Sequence, residues 1–269
     1  MPARLDLPPD HPHVAVVTID RPARANALDP PTLRELAAAW RRIAADAEIR
    51  CAVLTGAGDR VFCAGMDMTT TIPAAQRLAR GERVDDETFE GLRSVATALL
   101  AGFDLGTPLV CAVNGHARAG GFDLLLASDV RYAVPHATFA LEEVALGLYP
   151  TGNATVLLPR QIPWVHAQEL LLTARPIDAR RAHAIGLVND VVAPEALLPT
   201  ALATADAIAA NAPLAVRETR RGVRELLHLS LADAYRRQEE IGAPLRATED
   251  AREAQRAFVE KRRPVWTGR

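Results

Sequence analysis

Apolar residues in this chain fall into short β-branched runs that alternate with stretches at helical spacing. Val14-Ala15-Val16-Val17-Thr18-Ile19, ended by Asp20-Arg21-Pro22, reads as a strand. Cys51-Ala52-Val53-Leu54-Thr55, closed by Gly56-Ala57-Gly58-Asp59, reads the same way. So does Leu109-Val110-Cys111-Ala112-Val113, which runs straight into Asn114-Gly115. Between the first two, Asp29-Pro30-Pro31-Thr32 carries a helix-start signal. Leu33, Leu36, Ala37, Trp40 and Ile43 follow at the spacing of one buried helix face. A further helix is expected to begin within residues 121–127, then a short strand over 129–134. Strands alternating with helices place the chain in the α/β class.

Beyond about residue 160 the pattern turns helical. Helices are expected over 167–173, 197–211, 215–229 and 231–241, and another opens at Pro176-Ile177-Asp178-Ala179 and ends near Gly186. Thr248-Glu249-Asp250-Ala251-Arg252-Glu253 starts a last amphipathic helix. Residues 69–90 differ from both halves, with Thr69-Thr70-Thr71, one proline and a charged run from Arg80 to Glu90. They read either as a mobile, partly helical excursion lining a substrate entrance or as a solvated insertion without a role. The division expected is a core over residues 1–200 and a helical region over 201–269. Such a helical region packs either on a partner subunit or on its own core.

A chain of 269 residues, 49% hydrophobic and 24% charged, has the make-up of a soluble globular protein with a sizeable core. The net charge of −2 gives no electrostatic reason to expect nucleic acid or an anionic membrane as partner. Cys51, Cys63 and Cys111 are odd in number and form no Cys-x-x-Cys pair, which argues for buried thiols in a reducing compartment. No signal-like segment follows Met1, and no stretch is long and apolar enough to span a bilayer, so the cytoplasm is the expected location.

Candidate chemistry concentrates in two glycine-bearing motifs. Asn114-Gly115-His116-Ala117-Arg118-Ala119-Gly120-Gly121-Phe122-Asp123 leads from a strand into a helix start. An unpaired N–H at a helix N-terminus carries the positive end of the dipole and can stabilise an oxyanion. The Ala64-Gly65-Met66 turn could supply a second donor. Those glycines would also be needed merely to make tight turns. Asp123 stands in the first helical turn, where a carboxylate also complements the dipole. Glu143 follows the β-like Thr138-Phe139-Ala140-Leu141 and precedes Gly147. It is their joint placement beside two glycine turns that marks them as a proton-transfer pair. His116 has no orienting partner in sequence, and His11 and His13 have no further ligand cluster near them. No dinucleotide or P-loop motif is present.

Taken together, these motifs resemble the crotonase superfamily, the enoyl-CoA hydratase/isomerase family. The likeness runs through Arg21-Pro22 to Asn26-Ala27-Leu28, Phe62-Cys63-Ala64-Gly65-Met66-Asp67, and Pro108 to Gly115. It continues with Gly120-Gly121-Phe122-Asp123-Leu124, Ser128-Asp129-Val130-Arg131, Glu143 to Pro150, Gly186-Leu187-Val188-Asn189 and Phe258 to Pro264. The resemblance implies a spiral of ββα turns followed by a helical trimerisation region, with a homotrimer or a dimer of trimers as the assembly. It implies an acyl-CoA thioester substrate whose oxygen lies between the N–H groups of Met66 and Gly120, with Asp123 and Glu143 as the catalytic acids. Ala64 and Asp67 match positions around the adenine, and Arg24 and Lys261 match basic positions near the CoA phosphates. Coenzyme A is then part of the substrate and no separate cofactor or metal is called for. The implied reaction is addition of water to a 2-trans-enoyl-CoA in lipid metabolism. A double-bond isomerase and a non-catalytic acyl-CoA-binding protein are the alternatives.

Three departures bear on that reading. Hydratases of the family typically carry Glu at both acidic positions, whereas the first here is Asp123, with a reach shorter by roughly 1–1.5 Å. The dienoyl-CoA isomerase branch has an Asp eight residues after the Glu, where this chain has Thr151. Thr151-Gly152-Asn153 also replaces the usual Gly-rich Pro-Gly-x-Gly-Gly segment.

Overall fold

The computed structural model describes residues 1–269. One sheet holds β1 (Ala3–Asp6), β2 (Val14–Ile19), β3 (Cys51–Gly56), β5 (Leu109–Val113), β7 (Val130–Ala133) and β10 (Asp190–Val191), in that order. A second holds β4 (Val61–Cys63), β6 (His116–Arg118), β8 (Thr138–Ala140) and β9 (Ile177–Asp178). All neighbours run parallel except β1 with β2 and β8 with β9. Successive turns give one strand to each sheet: β3 then β4, β5 then β6, β7 then β8. This is the crotonase-like spiral of ββα turns, and the α/β class holds.

The β-branched runs became the central strands because both of their faces are covered. Every residue of β2 and β5 is buried, which is why they read as continuous apolar runs and not as alternating ones. The corners between the sheets are tied by amide side chains. Asn114 accepts from the Gly56 N–H at 3.1 Å and donates to the Gly58 carbonyl at 2.8 Å, linking one turn of the spiral to the previous one.

Helix α1 (Pro30–Ala45) starts where Asp29 predicts, with the Asp29 carboxylate accepting from the Thr32 N–H at 2.9 Å. Its buried face is Leu33, Leu36, Ala37, Trp40 and Ile43, and Trp40 Nε1 donates to the Ala98 carbonyl at 2.9 Å. Residues 69–90 fold as α2 (Thr71–Ala79) and the start of α3 (Asp86–Arg93), with α4 (Val95–Ala98) directly behind. After α5 (Gly120–Ala127) come α6 (Ala154–Gln161) and α7 (Trp164–Thr173). The helix expected to open at Pro176 starts later. Ile177 and Asp178 pair with β8, and α8 (Ala179–Ala184) begins only after Asp178, which caps it by accepting from the Arg181 N–H.

Helix α9 (Pro194–Ala209) buries Leu197, Ala201, Ala205 and Ala209 against the first sheet. The division expected at residue 200 therefore falls inside a core helix, and the hydrophobic core ends at Ala209. Helices α10 (Pro213–Leu226), α11 (Leu231–Leu245) and α12 (Glu249–Glu260) add nothing to that core. They leave Val223, Leu227, Leu231, Tyr235, Phe258 and Val259 exposed.

Candidate active site

The oxyanion-type turn is built on strain. Ala119 precedes α5 with φ 44° and ψ −115°, a conformation rare for a residue with a β-carbon and costing on the order of 1–3 kcal/mol. It is held there by its own N–H, which donates to the Ala140 carbonyl at 3.1 Å. The consequence is that the Gly120 N–H, first in the helix, has no acceptor within the protein.

The second turn is brought alongside by pairing with residues 25–28. Leu28 N–H donates to the Gly65 carbonyl at 2.8 Å, Asp67 N–H to the Leu28 carbonyl at 3.0 Å, and Ala64 N–H to the Ala25 carbonyl at 3.1 Å. Met66 N–H is left without a protein acceptor between them. Gly65 sits at φ +84°, and a β-carbon there would stand 2.9 Å from Ala119 Cβ and 3.1 Å from the Gly120 nitrogen. Only glycine lets the two turns approach this closely. Asn26 fixes the pairing segment, accepting from the Arg21 N–H and donating to the carbonyls of Ala57 and Val61.

Ala64, Met66, Gly120, Asp123 and Glu143 line one cleft of about 710 Å³. Its walls are otherwise mostly apolar, with Met68, Ile72, Leu92, Val95, Leu99, Leu146 and Leu148 among them. Asp123 is buried, and its Oδ1 accepts from the N–H groups of Asn153 at 2.6 Å and Ala154 at 2.8 Å. Glu143 opens a 3₁₀ turn over Glu143–Leu146, and its Oε2 is buried without any hydrogen-bond partner.

Burial is the main force on both acids. It pushes Asp123 up to about 7, with the Asn153 amide opposing, the Glu143 charge adding and the Ala154 amide opposing. Glu143 is raised too, by burial first and by Glu142. The two amide donors favour charge on Asp123, and the partnerless Oε2 favours the proton on Glu143. Both carboxyls line the one cleft, where they titrate as interacting groups, and burial keeps a proton on Asp123 until about 7. Because the folded state keeps the Asp123 proton to about 7 and the unfolded chain releases it near 3.8, stability falls as pH rises through that window. Asp123→Asn is therefore expected to raise Tm at pH 8 by about 5 °C and to change it little at pH 4. Equal shifts at both pH values in a thermal melt would contradict this.

The remaining expected residues lie apart from the cleft. Asp67 is buried behind Met66, and its carboxylate accepts from the Thr69 N–H at 2.9 Å, the Thr69 hydroxyl at 2.6 Å and Arg21 at 3.3 Å. Burial alone would raise it, but those donors bring it down to about 2. Arg24 lies on the surface beside it and donates to the Thr69 hydroxyl at 2.7 Å. Lys261 is exposed at the C-terminal end of α12 and does not line the cleft. His116 also lies off the cleft, its ring nitrogen 2.9 Å from the Thr138 hydroxyl. No three His, Cys, Asp or Glu side chains gather where a metal could be held. A more polar cleft of about 550 Å³ surrounds Arg131, whose guanidinium is engaged by the carbonyls of Leu126, Ser128 and Leu187 and by Gln161.

Sequence reasoning missed Ala119, Asn26 and Arg21. Arg21 and Asn26 come just before Ala27-Leu28 and Ala119 just before Gly120, but their value lies in positive-φ backbone and buried hydrogen bonds. Gly152 and Asn153 stood out only as a departure from a glycine-rich segment.

A ββα spiral whose strained turn presents a free amide to a cleft holding the buried Asp123 and the half-buried Glu143 defines an enzyme of the crotonase class. The sequence comparisons narrow this. The family model described as enoyl-CoA hydratase/isomerase matches residues 10–269, and the chain belongs to that family. It is 42% identical over 257 residues to the enoyl-CoA hydratase EchA19 of Mycobacterium tuberculosis, covering 96% of this chain and 94% of the relative. It is 37% identical to the (E)-benzylidenesuccinyl-CoA hydratase of Thauera aromatica, covering 95% and 96% of the two chains. A crystal structure of enoyl-CoA hydratase from Bacillus anthracis superposes with a TM-score of 0.89 at 31% identity, over 100% of both chains.

Proposed function

We propose that this protein is a hydratase-like lyase that adds water across the double bond of a 2-trans-enoyl-CoA thioester. The observation that carries the reading is the meeting of four groups in one apolar cleft: the free N–H groups of Met66 and Gly120 and the carboxyls of Asp123 and Glu143. The thioester oxygen would accept from the two amides, which stabilise the enolate as it develops. Asp123, ionised above about 7, orients water at the β-carbon and takes its proton. Glu143 delivers its proton to the α-carbon. The product is a 3-hydroxyacyl-CoA, and the reaction balances with water alone, so coenzyme A enters as part of the substrate and no further cofactor is needed.

The apolar walls suit a hydrocarbon acyl chain, as in fatty-acid metabolism. Ala64 and Asp67 are proposed to border the adenine, with Arg24 and Lys261 as contacts for the CoA phosphates. For Asp67 the contribution is structural, because its carboxylate is already engaged by Thr69 and Arg21. Lys261 would reach the CoA of a neighbouring subunit. That neighbour is supported by the apolar side chains that α10, α11 and α12 leave exposed. A trimer or a dimer of trimers is expected by light scattering, and a monomer mass would rule it out. Three buried free thiols fit a reducing compartment, and no helix is long and apolar enough to cross a membrane. We place the protein in the cytoplasm.

The test is a mass-spectrometric turnover assay with 2-trans-enoyl-, 3-enoyl- and 2,4-dienoyl-CoA thioesters of several lengths. A product heavier by one water from the 2-enoyl substrates is expected. An isomer of unchanged mass would replace the reading with a double-bond isomerase, and bound ester without turnover with an acyl-CoA-binding role.

A further inference from the structure

We propose that Asn153 is a positioning residue for Asp123, and that Gly152 leaves the space in which the shortened acid works. The inference rests on the hydration reading above and assigns how that site tolerates an aspartate.

The Asn153 side chain is buried and joins three elements. Its Nδ2 donates to the Leu99 carbonyl at 2.8 Å, just past α4, and to the Asp123 carbonyl at 3.0 Å, within α5. Its own N–H, at the start of α6, donates to Asp123 Oδ1. Asn153 thus grips Asp123 at both main chain and carboxylate, and fixes the distance between α6 and the acid. The adjacent Gly152 lies flat against the carboxylate, and a β-carbon there would overlap Asp123 Oδ2 and Cγ. Oδ2 accepts nothing from the protein and belongs to a residue that lines the cleft. A shorter acid cannot reach forward, so here the turn at 151–154 closes onto it. One oxygen is anchored and the other is left for water. An asparagine in place of a glycine supplies the tether, and a glycine beside it supplies the room.

Asn153→Ala keeps the main-chain amide but removes the tether. It is expected to lower kcat about tenfold to a hundredfold with KM within about twofold, as for loss of orientation and not of binding. A loosened amide also withdraws a donor from the charged form, so the Asp123 midpoint should move upward. That midpoint is read independently of turnover by a carbon-13 carboxyl titration of the free protein. Gly152→Ala is expected to lose more activity while still binding an acyl-CoA by calorimetry, with thermal melts confirming that both variants fold. Wild-type kcat and an unmoved Asp123 titration in Asn153→Ala would overturn the proposal, and so would full activity in Gly152→Ala. If the wild type hydrates no enoyl-CoA but Asn153→Ala still moves the titration, the positioning stands and the hydratase reading falls.

Discussion

Glu143→Gln is expected to lower kcat by roughly a thousandfold while leaving the affinity for acyl-CoA nearly unchanged. The substitution preserves the shape of the side chain and removes only the transferable proton. Oε2 of Glu143 is buried without a donor to stabilise a charge, and burial raises its pKa, so both favour the protonated acid. An amide in its place cannot deliver that proton to the α-carbon, and in the proposed reaction Asp123 is already given to the water. Asp123 has one oxygen spent on two amides, and Glu142 is half-exposed beside Arg118 at 3.5 Å. A loss of that size corresponds to about 4 kcal/mol of transition-state stabilisation. Binding should survive because the two free amides and the apolar walls are untouched. Steady-state kinetics on a 2-trans-enoyl-CoA decide the matter, and turnover like that of the wild type would remove Glu143 from the chemistry.

The site was legible in the sequence where it depends on residue type and obscure where it depends on backbone angle. Glycine turns and acids at fixed spacing named Gly120, Asp123 and Glu143 without coordinates. Nothing in an alanine discloses that Ala119 carries the strain that frees the Gly120 amide, because the strain comes from the Ala140 carbonyl on β8. The same division holds for the fold. β2, β3 and β5 declared themselves as apolar runs because they are buried on both faces. β4 and β6 have three residues each and carry no period, being strands only by virtue of the neighbours they pair with. β9 was read as part of a helix opening at Pro176; Asp178 does cap α8, but β8 claims the two residues before the helix. The end of the core was placed early because Ala-rich α9 looks like the helices that follow it. Its buried stripe of small residues packs on the sheet, whereas the charge-rich α10 buries only Gly222.

Asp123→Glu is the second large effect, and the structure decides its direction. A hydratase that merely tolerated an aspartate would gain from the longer acid that the family resemblance expects. Here the carboxylate is already seated, with Oδ1 on the N–H groups of Asn153 and Ala154 and Gly152 packed against it. An added methylene must either drive the 151–154 turn outward or swing the carboxylate away from its two donors. The first course breaks the Asn153 tether to Leu99 and resembles overpacking of a filled interior, which costs about 1–3 kcal/mol. The second leaves a desolvated carboxyl without the donors that oppose its burial, raising its pKa further so that less of it is ionised to accept a water proton. Both courses lower kcat, by about tenfold to a hundredfold, and neither touches the amides proposed to hold the thioester, so KM should hold. The two are separable by stability: a displaced turn lowers Tm, whereas a swung carboxylate leaves it and moves the pH profile instead. A kcat that rises in Asp123→Glu would mean that the turn yields freely, and that the shortened acid is a substitution the pocket bears and not one it is built around.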